Sequence, residues 1–207
     1  MSHRNFEKNE KIWDLVTGCT KVSIACDSCP PLIEAEAKGE NFNVQVWEHK
    51  LREPLKVIAP TQYHVCFGSD LFLDHVSTQL IIDAFKIMKE AERHTFFVIT
   101  KRVDRLMYLS DQIEISDNVA IGISVNTKSD VPKIEAIRNL KCKFKYVSAA
   151  PLLEPLGPMN LEGINEFGIV EESWGQCRKL EKDWVTDIEK QCKEQGVEFT
   201  FQAGVLA

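Results

Sequence analysis

Residues 95–125 read TFFVITKRVDRLMYLSDQIEISDNVAIGISV, and this stretch decides the fold class. Its two ends, 95–100 and 119–125, are short apolar runs rich in β-branched and aromatic residues. That is the composition of strands buried on both faces. Between them, residues 103–112 carry the pattern of a helix. Strand, helix, strand is the unit of a parallel sheet, because two parallel strands need a crossover between them.

The same alternation runs outward in both directions. Further apolar runs lie at 63–68, 144–149, 167–170 and 197–201, and further helix-like stretches lie near 30–38, 77–92, 130–140 and 180–195. In the last of these, Trp184, Val185, Ile188 and Cys192 share one face, and Gly196 supplies a stop. Six strands, with a possible short one before Cys19, predict an α/β fold: a partial (β/α) barrel of mainly parallel strands. Pro and Gly are scattered, so the expectation is a single domain over 1–207. In such a fold the loops after the strands' C-terminal ends form the functional face. Ser69-Asp70, Lys101-Arg102, Asn126, Pro151 and Glu171-Glu172-Ser173 fall there.

Composition removes several classes. No apolar run approaches the roughly 20 residues that span a bilayer, and MSHRNFEKNEK at the start is too polar for a secretory signal. The expected compartment is the cytoplasm, the host's if the chain is phage-encoded, with no membrane partner. A net charge of −6 argues against strong duplex nucleic-acid binding. Seven cysteines, an odd count in a reducing compartment, are expected as thiols rather than a disulfide framework.

Three of those cysteines stand close together. Residues 13–31 read WDLVTGCTKVSIACDSCPP, placing Cys19, Cys26 and Cys29 on one loop. Two thiolates with two residues between them turn toward one ion or cluster without backbone strain, and a third completes a tripod. Three thiolates on a four-iron cluster leave one iron open to an exchangeable ligand. Competing readings are zinc with a fourth donor such as Cys66 or His64, a redox pair at Cys26 and Cys29, and simple packing. Cys66, Cys142, Cys177 and Cys192 read as core thiols.

The chain resembles a bacteriophage and prophage family of radical-SAM-like proteins of unknown function. The family opens W-x-P-V-T-G-C-x-x-x-S-x-G-C-x-x-C-Y-A, close to residues 13–31 here. Ser69-Asp70-Leu71-Phe72 is similar to its S-D-L-F. His94-Thr95-Phe96 and Thr100-Lys101-Arg102 are similar to its H-T-F and L-T-K-R. Gly122 to Val125 match G-V-S-V, and Val147-Ser148-Ala149 with Pro151 to Leu153 match V-S-A-E-P-L-L. Glu172-Ser173, Arg178 and Trp184 keep the spacing of its tail.

The resemblance implies a 4Fe-4S cluster on Cys19, Cys26 and Cys29, with S-adenosylmethionine as cofactor. It implies an external electron donor and a small-molecule or nucleotide substrate attacked by a 5′-deoxyadenosyl radical. It nominates Ser69, Asp70, Lys101, Ser124, Asn126, Glu172 and Arg178 as cofactor contacts. Bland readings stand beside these. Asp70 reads equally as a cap before a helix at 71–76, and Lys101, Arg102 and Glu172 as solvated. Trp13 is expected to pack beside the cysteine loop. His64, His75 and His94 are read as ordinary, and Phe96, Phe97, Phe144 and Tyr146 as core.

Departures from the family pattern fall at predicted strand ends. Asn126 replaces an acidic residue, Ala150 a glutamate, and Val170-Glu171 a glycine pair. Residues 201–204 replace F-K-Q-W, Ala25 a glycine, and Pro30 an aromatic residue. Two functions remain in play: a divergent radical enzyme, favoured by the cysteine tripod, and a degenerate relative acting as a binding protein, favoured by the lost polar residues. A zinc enzyme is the third and has no water-activating constellation to support it.

Overall fold

The computed structural model describes residues 9–172 and 177–203. Ser173, and residue 204 of the stretch 201–204, lie outside that range. In chain order the elements are β1 (Glu10–Trp13), β2 (Val16–Thr17), α1 (Pro30–Ala37), β3 (Gln45–Val46), β4 (Gln62–Val65), α2 (Thr78–Glu90) and β5 (Thr95–Thr100). Then come α3 (Val103–Leu109), β6 (Val119–Ser124), α4 (Pro132–Arg138), β7 (Phe144–Ala149), β8 (Glu166–Val170), α5 (Lys182–Gln195) and β9 (Glu198–Gln202).

β1 and β4 to β9 form one seven-stranded sheet in order of sequence. Every pairing in it is parallel. β2 and β3 make a separate antiparallel ribbon. Because each crossover steps to the next strand in the same direction, right-handed connections put their helices on one face. The sheet therefore curls into a partial (β/α) barrel, as the sequence predicts. The short strand expected before Cys19 is β1.

The helix-facing side of the sheet is the core. Val65, Phe96, Val98, Ile121, Ile123, Val147, Phe167 and Ile169 are buried there with Ile81, Phe85 and Met88 of α2 and Leu106 of α3. Ile134 and Ile137 of α4, and Ile188 of α5, close the same layer. The helices begin and stop for local reasons. Ser77 caps α2 by accepting the Leu80 N–H at 3.2 Å. Gly196 ends α5 in the left-handed region at φ 71°, which costs glycine little. α1 starts with prolines at its first two positions, where a missing N–H is harmless. Pro30 thus launches this helix where the family has an aromatic residue.

The opposite, inner face differs from the sequence expectation. Phe96 is core, but Phe97 and Tyr146 point inward and are half-buried. Side chains alternate across a strand, so neighbours Phe96 and Phe97 must part. The Tyr146 ring lies over Gly122 of the adjacent strand, where a Cβ would sit 2.1 Å from Tyr146 Cζ. It reaches toward Phe97, 6.0 Å away between centroids. Phe97 stacks on His64 at 5.7 Å. Two more expectations are corrected. Residues 71–76 form turns rather than a helix. The strand near 63–68 ends at Val65, because Cys66 turns the chain at φ 51°.

Candidate metal centre

The three cysteines sit on the loop between β2 and α1, above the C-terminal end of the sheet. Gly18 starts the loop at φ 68°, pressed so close to the next segment that a Cβ would lie 2.1 Å from the Asn43 carbonyl oxygen. Ala25 and Cys26 belong to a short 3-10 turn, Ile24–Cys26, and Ala25 has no left-handed backbone that would call for the family's glycine. Cys29 precedes Pro30 at the start of α1. All three thiols are free and half-buried.

Two carboxylate–arginine pairs hold this loop to the sheet. The first comes from the ends of β4 and β5. Asp70, 3% exposed, accepts from the Phe72 amide at 2.9 Å, Thr100 Oγ1 at 2.8 Å, the Lys101 amide at 3.1 Å and Arg102 Nη1 at 2.9 Å. Arg102 in turn donates to Thr20 O at 2.9 Å and Thr20 Oγ1 at 2.8 Å. Both its terminal nitrogens lie 3.9 Å from Cys19 Sγ. Ser69 adds a bond from its hydroxyl to Gly18 O.

The second pair follows β8. Glu172 takes both Arg178 Nε, at 3.1 Å, and Arg178 Nη2, and also accepts the Arg178 backbone N–H at 2.7 Å. Arg178 then reaches Ile24 O at 3.1 Å and Ser28 Oγ at 3.3 Å. Of the residues nominated as cofactor contacts, Ser69, Asp70, Glu172 and Arg178 therefore have their polar atoms on the loop or on its arginine braces. Arg102, absent from the nominated contacts, is the hub of the first brace. Its signal in the sequence was its place directly after a strand end, beside Lys101.

Lys101 and Asn126 form a further group. Lys101 Nζ donates to Asn126 Oδ1 at 2.8 Å, and Asn126 Nδ2 donates to Pro151 O at 2.8 Å. The amide thus serves one partner with each end, which the family's carboxylate at that position cannot do. Asp130 fixes the turn by accepting the Asn126 and Thr127 amides at 3.0 and 3.1 Å. Ser124 lies beneath, buried, and paired in register with Ser148.

The electrostatics tie these groups together. Burial pushes the Lys101 ammonium below its ordinary range, against the opposing pull of Cys26 and Asp130. At Cys26 burial acts upward, but the amide groups of Val22 and Ser23, the Ser23 hydroxyl and Lys101 outweigh it and lower the thiol. Cys19 and Cys29 are raised, chiefly by burial. Charge on Cys26 adds to the rise at both of them.

Among the described residues, no three His, Cys, Asp or Glu side chains converge closely enough to hold one metal ion. Cys66 is buried in the core, its thiol pushed up to about 12 by burial, and His64 faces inward against Phe97. Neither joins the loop as a fourth zinc donor. A four-iron cluster takes its thiolates at separate corners rather than at one point, and three cysteines on one braced loop fit that donor chemistry. Trp13 lies wholly in the core, 5.7 Å from Phe96, with its Nε1 donating to Lys50 O at 3.0 Å.

Solved structures of spore photoproduct lyase share this fold. One variant, with bound AdoMet and dinucleoside spore photoproduct, matches with a TM-score of 0.60 at 12% identity, covering 94% of this chain and 76% of that one. A second matches with a TM-score of 0.59 at 13% identity over the same shares. The likeness is one of architecture, the radical-SAM type of partial barrel. No curated protein matches, and among the described residues no helix is long and apolar enough to cross a membrane. The model of one family, described as protein of unknown function (DUF5131), covers residues 3–205, and the chain belongs to that family.

Proposed function

We propose that this protein is a radical-SAM-like iron–sulfur enzyme of the phage-borne kind. Cys19, Cys26 and Cys29 hold a 4Fe-4S cluster. When bound, the cluster supplies one electron, drawn from an external donor, that cleaves S-adenosylmethionine to methionine and a hydrogen-abstracting 5′-deoxyadenosyl radical. The chain's own residues bind and orient. Lys101, Asn126 and Ser124, at adjoining strand ends, face the cofactor, with the Lys101 ammonium suited to a carboxylate. Asp70–Arg102 and Glu172–Arg178 keep the thiols in place. The half-barrel surrounds the site and limits water. The inner face, with His64, Phe97 and Tyr146, receives a small molecule or nucleotide.

The observation that carries this reading is the braced loop: three half-buried thiols, held at both ends over the C-terminal mouth of a parallel half-barrel. A second reading, a relative that keeps the fold and has lost the chemistry, draws support from Ala150, Val170 and Glu171 at strand ends where the family carries a glutamate and two glycines. Protein purified without oxygen separates the two. About four irons per chain, and an electron-paramagnetic-resonance signal of the reduced protein that changes with S-adenosylmethionine, support the enzyme. A signal indifferent to the cofactor supports the second reading. Zinc, no metal, or unchanged iron content in Cys29→Ala would overturn the cluster assignment.

A further inference from the structure

The three thiols have different surroundings. Cys19 Sγ faces both terminal nitrogens of Arg102 at 3.9 Å. Cys26 Sγ meets the neutral Ser23 hydroxyl at 3.6 Å, and the Lys101 ammonium acts on it through space without a hydrogen bond to the sulfur. Among the described residues, Arg178, the other bracing arginine, meets Glu172, Ile24 O and Ser28 Oγ rather than a sulfur. Arg102 is also fixed. Its side chain is 10% exposed, and Asp70 and the two Thr20 oxygens set the plane of the guanidinium. The planar fork, anchored at Asp70 and Thr20, turns its Nη1–Nη2 edge to the sulfur, with an Nη2 N–H shared between Thr20 and Cys19.

We propose that Arg102 is a positioning residue that tunes the metal centre through Cys19, donating charge-assisted N–H bonds to that one thiolate. This rests on the cluster reading above and goes beyond it, by giving one ligand of the three a separate electronic role. The physical reason is direct. An N–H donor withdraws density from a thiolate and stabilises the reduced, more negative centre more than the oxidised one. Hydrogen bonds to ligand sulfurs are among the factors that set cluster potentials. Arg102 therefore makes the centre easier to reduce by the external donor.

The test is a reductive titration of the anaerobically purified full chain with dithionite and mediator dyes, followed by the reduced-state spin signal. Wild type is compared with Arg102→Gln, Arg102→Lys and Arg178→Gln, with iron content measured for each. Arg102→Gln is expected to lower the reduction equilibrium about tenfold, which is about 59 mV for a one-electron couple. Arg102→Lys, which keeps the charge and loses the fork, falls between the two. Arg178→Gln, which braces the loop without touching a sulfur, leaves the midpoint of its loaded fraction unchanged.

An unchanged midpoint in iron-loaded Arg102→Gln would overturn the proposal and leave the cluster reading intact. Equal shifts in Arg102→Gln and Arg178→Gln would also overturn it, by making the effect one of loop bracing. Loss of iron in both Arg102 variants would make that residue a brace alone. A wild-type protein without iron would bring down both readings together.

Discussion

The two arginine braces look alike in outline and differ in depth. Asp70 and Arg102 have side chains 5% and 10% exposed, and Asp70 is also tied to two backbone amides and a threonine. Glu172 is equally buried, but its Arg178 is 36% exposed. The first pair joins the ends of two adjacent strands, β4 and β5. The second has both its members on the segment after β8. A buried pair depends on both partners, because removing one leaves an uncompensated charge. A pair open to water is forgiving, because solvent replaces the missing partner. The Cys19 end of the loop is thus a fixed part of the fold, and the Cys26–Cys29 end is the softer one.

Breaking the first brace gives the largest effect. Asp70→Ala strands Arg102 and is expected to cost about 3–5 kcal/mol, read as a lower urea midpoint with an unchanged slope. Gly18→Ala attacks the same end through the backbone. Its left-handed φ and its contact with Asn43 are expected to cost about 2–3 kcal/mol, visible in the same melt. Glu172→Gln tests the softer brace. With Arg178 partly in water, its cost is expected at about 1–2 kcal/mol. A Glu172→Gln as damaging as Asp70→Ala would show that exposure does not separate the two braces.

The smallest effect is in pH. Burial pushes the Glu172 carboxyl up, but the Arg178 side chain and backbone N–H outweigh it, so the group sits below its ordinary 4.5. A depressed carboxyl stabilises the fold above its unfolded value and loses that contribution as pH falls through the folded value. The stability gap between wild type and Glu172→Gln is therefore full near about pH 7 and shrinks below about pH 4. A gap that grew on acidification would reverse the sign of this assignment.

The fold was largely legible, because its signals are local. Runs such as 95–100 and 144–149 gave strands with those bounds, and Gly196 marked the end of α5 as expected. The misses came where a residue's type is visible but its direction is not. Phe97 reads like Phe96 in the sequence and faces the other way. Asp70 reads as a cap before a helix at 71–76, where the chain forms turns instead, and its carboxylate meets Thr100 and Arg102. Arg102 reads as one of a solvated pair, and its side chain is buried with both terminal nitrogens 3.9 Å from Cys19 Sγ.

Local patterns along the chain fix the parallel half-barrel, the helix and strand succession, and three cysteines on one loop at its mouth. Periodicity, capping residues and short-range spacing act over a few positions, so they are written where they work. Tertiary structure alone decided how that loop is held. Arg102 meets Thr20 across 82 positions and Arg178 meets Ser28 across 150. Such pairs exist only once the sheet has brought its strand ends together, and burial there turns an ordinary surface arginine into a fixed donor beside a thiol.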